Sequence, residues 1–127
     1  DTGILIHLLG QTIKRQSDHF GHAFENFVLM ELIKHASWSN ANPQIYYYRT
    51  AGGSEVDIIL EHPDGRVVAI EVKSHVTLKT ETAKPMKSLR DQIGHKFHRG
   101  IILYLGEQVI PIDQQIHAVP VNWMLSV

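Results

Sequence analysis

Apolar side chains occupy most of a helical circumference between residues 18 and 37: Phe20, Ala23, Phe24, Phe27, Val28, Leu29, Met30, Leu32, Ile33 and Ala36. Their recurrence at three and four residues predicts a long α-helix, opened by Ser17 or Asp18 as N-cap. An apolar surface that wide belongs in a core. Three shorter segments follow, at 45–49, 55–61 and 66–73, read as strands, the last two with apolar/polar alternation. A more polar helix is predicted over 83–97. Residues 100–105 contain the unbroken run Ile101-Ile102-Leu103-Tyr104-Leu105, the pattern of a strand buried on both faces. A short strand over 118–121 and a helical turn over 122–125 close the chain. The order is α-β-β-β-α-β, an α/β class.

The link between the second and third strands sets which side chains meet. A three-residue loop of Pro63, Asp64 and Gly65, with Gly65 at positive φ, pairs His62 with Arg66. Counting outward sets Leu60 opposite Val68, Asp57 opposite Glu71 and Glu55 opposite Lys73. A two-residue loop would set Asp57 against Val72 and break the match of polar faces. Val56, Ile58 and Leu60 are expected to share a face with Val68, Ile70 and Val72, given a shift near the bulge.

Two opposed carboxylates repel. At about 5 Å and an effective dielectric of about 20 the cost is roughly 3 kcal/mol. A hard divalent cation, Mg²⁺ or Mn²⁺, turns that repulsion into coordination, because both ions take oxygen ligands and keep several waters. Lys73 lies two residues beyond Glu71 and shares its face, within reach of an attacking water or a phosphate. By chance an acidic-x-Lys tripeptide occurs about 0.7 times in a chain of this composition, so the bare motif is weak. Its setting strengthens it, since Glu71 sits between Ile70 and Val72, and Asp57 between Val56 and Ile58. The competing reading is an exposed strand face on which Lys73 neutralises the acids.

At 127 residues and 43% hydrophobic content the chain suits one core, so residues 1–127 are expected to form a single domain. No repeat or low-complexity tract divides it. The net charge is -1 and the pI about 6.8, which excludes a global basic field as the basis of nucleic-acid binding. There is no cysteine, which excludes disulfides and thiolate metal sites and fits a cytoplasmic origin. No apolar run approaches the roughly 20 residues that span a bilayer, so no membrane association is expected. The start at Asp1 rather than Met suggests a fragment of a longer polypeptide.

Other side chains carry weaker signals. Glu25, on the first helix beside His22 and Asn26, requires a partner: either a local bond to His22 or a backbone group, or a place at a metal site. Glu31 is read as a structural helix residue. The pairs His19-x-x-His22 and His95-x-x-His98 lack a third ligand at recognisable spacing and are read as solvated or locally bonded. Lys84, Lys87 and Arg90 recur every three residues, as a phosphate-tracking row or a solvated face. Tyr46, Tyr47 and Tyr48 read as strand packing, with an outward Tyr47 able to stack on a base.

Three stretches carry a family resemblance: Tyr-Tyr-Arg-Thr-Ala-Gly-Gly-Ser-Glu-Val-Asp (47–57), Val-Ala-Ile-Glu-Val-Lys-Ser (68–74) and Arg-Gly-Ile-Ile-Leu-Tyr-Leu-Gly (99–106). With Gly-His-Ala-Phe-Glu-Asn-Phe-Val-Leu-Met-Glu-Leu (21–32) and the opening Asp-Thr-Gly-Ile-Leu, the chain resembles the C-terminal domain of uncharacterised function in prokaryotic AAA-type ATPases. That domain is similar to PD-(D/E)xK nucleases, of the restriction-endonuclease type, with a mixed central sheet flanked by helices. The resemblance implies metal binding by Asp57 and Glu71, a catalytic Lys73, and Glu25 as the acidic residue of the first helix. It also implies Mg²⁺ or Mn²⁺ as cofactor, DNA or another nucleic acid as substrate, and an ATPase domain upstream. Val56 stands where the superfamily motif has proline. No G-x-x-x-x-G-K-[ST] occurs, so ATP hydrolysis is not expected of these residues. Two classes of function remain open: a Mg²⁺- or Mn²⁺-dependent nuclease, and a non-catalytic binding or regulatory module serving an ATPase.

Overall fold

The computed structural model describes residues 18–37, 40, 42–49 and 55–125. Helix α1 spans Asp18–Ser37, followed by strands β1 (Gln44–Arg49), β2 (Glu55–Glu61) and β3 (Val67–Val72). Helix α2 (Lys84–Ile93) then leads into β4 (Phe97–Tyr104), β5 (Ile110–Pro111), β6 (Ile116–Pro120) and a closing helical turn α3 (Val121–Leu125). The strands form one six-stranded sheet in the order β1-β2-β3-β4-β6-β5. β1, β2 and β3 are antiparallel neighbours, β4 runs parallel to both β3 and β6, and β5 pairs antiparallel with β6.

Strand alternation divides the core into two layers, as a sheet covered on both faces requires. Ile70, Val72 and Leu103 pack with Phe24 and Val28 of α1. Ala69, Ile102, Ile116 and Ala118 pack with Met86 and Leu89 of α2. Adjacent residues of β3 and β4 thus serve opposite layers, which is why β4 reads as continuously apolar. Phe24 and Val28, four residues apart, form the ridge that α1 presents to the sheet. Each such side chain contributes about 1.5–3 kcal/mol when fully buried.

The β2–β3 hairpin forms as the loop chemistry predicts. The His62 N–H donates to the Arg66 carbonyl at 2.8 Å, the Gly65 N–H donates to the His62 carbonyl at 2.8 Å, and Gly65 takes φ 94°. The Asp64 side chain accepts the Arg66 N–H at 2.9 Å and its guanidinium Nε at 2.7 Å, locking the turn. The register that follows pairs Glu61 with Val67, Leu60 with Val68, Ile59 with Ala69 and Ile58 with Ile70.

Several sequence expectations are corrected. The second helix ends at Ile93 rather than at Phe97, because Gly94 takes φ 63° and sends its N–H to the Arg90 carbonyl. A 3-10 turn over Gly94–Lys96 follows, and Phe97 already belongs to β4, which starts three residues before the expected Gly100. Val121 is helical, the last strand begins at Ile116, and the short edge strand β5 was not anticipated. The third strand occupies 67–72, so Arg66 and Lys73 flank it. Ser17, the opening residues 1–5 and residues 50–54 of the quoted motif lie outside the described residues. Among the described residues, no helix is long and apolar enough to cross a membrane.

Candidate metal and phosphodiester site

The site is built where the β2–β3 ladder stops. Two steps along β1, from Tyr46 to Tyr48, face three along β2, from Ile59 to Val56. The extra residue is a β-bulge, and Asp57 and Ile58 together stand opposite Tyr47. Past the bulge the alternation of β2 is reset: Val56 packs with Ala69, Ile59 and Tyr48 in the α2 layer. The expectation that Val56 shares a face with Val68, Ile70 and Val72 is therefore corrected, since those residues lie in the α1 layer. The β2–β3 ladder ends at Ile58–Ile70, one step short of the expected pairing of Asp57 with Glu71.

At that point side-chain chemistry replaces the ladder. The Lys73 N–H donates to the Leu103 carbonyl of β4 at 2.8 Å, so the preceding N–H, that of Val72, points the other way, toward β2. It donates to Asp57 Oδ2 at 2.7 Å. A backbone donor in the interior requires an acceptor, and a carboxylate supplies it here. Asp57 is half-buried.

Glu25 reaches the same segment from α1. Its Oε2 accepts the Ser74 N–H at 3.1 Å, while its Oε1 stands 4.0 Å from His22 Nδ1. The helix can approach this closely because residue 21 is glycine: a Cβ there would sit 2.7 Å from Ser74 Oγ. Ser74 itself is buried. Glu25 therefore holds the backbone next to the acidic-x-Lys motif, through a contact 49 residues distant in sequence rather than the local bond expected of it.

Glu71 is almost entirely buried, and its Oε1 lies 3.1 Å from Lys73 Nζ. Partial burial alone would push the Lys73 ammonium toward deprotonation. Glu71, by charge and hydrogen bond, and then the charges of Glu25 and Asp57 outweigh that and hold its pKa above the usual 10.5. Three carboxylates from α1, β2 and β3 thus converge on the three-residue stretch Val72-Lys73-Ser74, at the C-terminal end of β3. The open crevice outside the carboxyl ends of parallel strands is the usual place for a ligand in such sheets.

The donor set suits one kind of metal. Among the described residues no group of three His, Asp or Glu side chains is placed to hold an ion, so a closed three- or four-ligand cage is not built there. Two carboxylates, Asp57 and Glu71, are the protein contribution expected for Mg²⁺ or Mn²⁺, which retain most of their waters. Other candidates have structural employment. Arg90 donates to Asp113 Oδ2 at 2.9 Å and lies over the Phe97 ring, so it is not part of a phosphate-tracking row with Lys84 and Lys87. Tyr48 packs in the α2 layer and accepts a hydrogen bond from Gln92 Nε2 at 3.0 Å. Glu31 pairs with Lys34 at 3.3 Å. The role of Ser74 was not read from the sequence; only the spacing of a small residue directly after Glu-x-Lys hinted at it.

A family model described as "Domain of unknown function (DUF4143)" matches residues 20–124. The chain belongs to that family. No curated protein matches it. Among solved structures, one titled "Structure of EndoMS-dsDNA2 complex" is similar at 19% identity and a TM-score of 0.44, over 80% of this chain and 40% of that one. The chain therefore spans less than half the length of that structure's chain. Membership of the DUF4143 family accords with the expected kinship to a domain of uncharacterised function.

Proposed function

We propose that this DUF4143 domain carries a Mg²⁺- or Mn²⁺-dependent phosphodiesterase site that acts on nucleic acid, with Asp57 and Glu71 as metal ligands. The observation that carries this reading is the convergence of Asp57, Glu71 and Glu25 around Lys73 at the end of β3. Stability alone does not select such a cluster, since a buried carboxylate and its like-charged neighbours cost free energy unless something cationic joins them. A bound Mg²⁺ or Mn²⁺ supplies a Lewis acid for the phosphoryl oxygens and a source of activated water.

The residues divide the remaining work. Asp57 is fixed through Oδ2 by the Val72 N–H, which aims the carboxylate. Glu71 is fixed by burial and by Lys73. Glu25 acts on the backbone of Ser74 and positions the motif rather than touching substrate. Lys73 is a cation at neutral pH, and the carboxylates hold it so against the opposing effect of burial. Its suited role is to hold the scissile phosphate or the attacking water by charge and hydrogen bond, and to stabilise negative charge as the bond breaks. Proton abstraction by Lys73 would first require those carboxylates to be neutralised.

A second reading, a non-catalytic module serving an upstream AAA-type ATPase domain, is favoured by the Lys73–Glu71 pair, which already neutralises the buried acid. Cleavage assays separate the two. With Mn²⁺, wild type is expected to cut single- or double-stranded DNA or RNA, and Lys73→Ala, checked for retained fold by circular dichroism, is expected to lose cleavage while keeping Mn²⁺ binding. Absence of cleavage of every such substrate, including by the chain joined to an upstream ATPase domain, would leave the module reading.

A further inference from the structure

The three consecutive tyrosines of β1 do not share one role. Tyr48 is committed to the core and to Gln92. Tyr46 is 47% exposed and Tyr47 72% exposed, on a strand at the edge of the sheet. Strand alternation puts Tyr46 on the side of Tyr48, in the α2 layer, and Tyr47 on the opposite side. The β-bulge then gives Tyr47 a particular neighbour: Asp57 and Ile58 together stand across from it. Directly opposed strand residues have Cβ atoms about 5 Å apart. Tyr47, more exposed than Trp123 or Tyr46, is therefore the cross-strand neighbour of a proposed metal ligand.

We infer that Tyr47 is a stacking platform for an unpaired base next to the scissile phosphate, which makes single-stranded nucleic acid the preferred substrate class. The inference rests on the phosphodiesterase reading of Asp57 and Glu71 and deepens it. An aromatic ring stacks on any base whose π-face is open, and in a duplex those faces are already covered. Lysine and arginine contacts to phosphates serve single strands and duplexes alike, and this chain has net charge -1 with its Arg66 and Arg90 engaged with Asp64 and Asp113. Affinity for nucleic acid must then come from contacts other than a basic field, and an exposed ring beside the site supplies one.

The test is binding without cleavage, in EDTA. Fluorescence anisotropy would compare the affinity of the whole chain for a labelled mixed-sequence single strand of about 12 nucleotides with that for the same strand annealed to its complement; one module covers about 4–16 nucleotides. Wild type is expected to favour the single strand. Tyr47→Ala is expected to weaken single-strand binding about 5- to 100-fold and to leave duplex binding within about twofold, while Tyr47→Phe keeps the ring and stays near wild type. Tyr46→Ala controls for general loss of exposed aromatic surface and is expected to change little. The inference is overturned if wild type binds neither form, if Tyr47→Ala binds the single strand as wild type does, or if Tyr46→Ala weakens it equally. Those failures differ from failure of the metal reading. Loss of Tyr47-dependent binding with Mn²⁺ coordination intact removes only the stacking platform; absence of Mn²⁺ coordination with Tyr47-dependent binding intact removes only the metal site.

Discussion

Replacing Asp57 tests whether its carboxylate takes over the end of the β2–β3 ladder. In Asp57→Ala the Val72 N–H loses its 2.7 Å acceptor in a half-buried position. Leaving such a donor unsatisfied costs about 1–3 kcal/mol. Removing the negative charge works in the opposite direction. Full repulsion between two carboxylates at about 5 Å is about 3 kcal/mol at an effective dielectric of about 20, but Lys73, 3.1 Å from Glu71, already offsets much of it. Relief of about 1 kcal/mol is a reasonable remainder. The net expectation for Asp57→Ala is a loss of about 0–2 kcal/mol, a fall in Tm of up to about 10 °C for a domain of this size. Asp57→Asn keeps an acceptor oxygen for Val72 while losing the charge, so it should lie within about 1 kcal/mol of wild type. Thermal and urea unfolding in EDTA measure both variants. An alanine variant as stable as the asparagine variant would refute the reasoning, because the two differ chiefly in the ability to accept the Val72 N–H.

Three further outcomes follow from other parts of the molecule. Lys73 has a raised folded pKa, so its contribution to stability is fully present below 10.5 and is lost as pH rises through the folded value; urea midpoints should fall more steeply above that pH in wild type than in Lys73→Met. Asp113 accepts the N–H groups of Gln115 and Ile116 at 2.9 Å each and pairs with Arg90. Although burial opposes it, these bonds hold its pKa below 3.8; its contribution is therefore present above 3.8 and lost as pH falls through the folded value, and Asp113→Ala should cost about 1–2 kcal/mol in neutral urea titrations and flatten the acid limb. A Cβ at Gly100 would meet the Met86 sulfur and lie 3.1 Å from Ile116 Cγ1, so Gly100→Ala should lower stability by about 1–3 kcal/mol in the same titrations.

Much of the fold was legible because local chemistry and global pattern agreed. Pro63-Asp64-Gly65 dictated a three-residue loop, and the register of β2 on β3 followed from that alone. The helix over 18–37 and the doubly buried β4 followed from the spacing and continuity of apolar residues. Helix α2 was drawn too long because its polar pattern continues past Gly94, whose positive φ ends it. Strand β5 escaped notice because two residues carry no periodicity.

The site was legible as a set of residues but not as a geometry. Asp57, Glu71, Lys73 and Glu25 were named from the motif and its resemblance, and the structure brings all four to one strand end. The bulge at Asp57 and Ile58 could not be read, since it depends on how β1 pairs with β2 and no local residue announces it. Nor could the capture of the Val72 and Ser74 N–H groups by Asp57 and Glu25, which are contacts between residues 15 and 49 positions apart.

Calorimetric titration of Mn²⁺ into the metal-free chain addresses the metal site most directly. Wild type should bind the ion, Lys73→Ala should bind it at least as well because the competing ammonium is gone, and Asp57→Asn and Glu71→Gln should each bind it at least tenfold more weakly, about 1.4 kcal/mol. Equal binding by wild type, Asp57→Asn and Glu71→Gln, or no binding by any of them, would contradict the assignment of these carboxylates to a metal-dependent phosphodiesterase site.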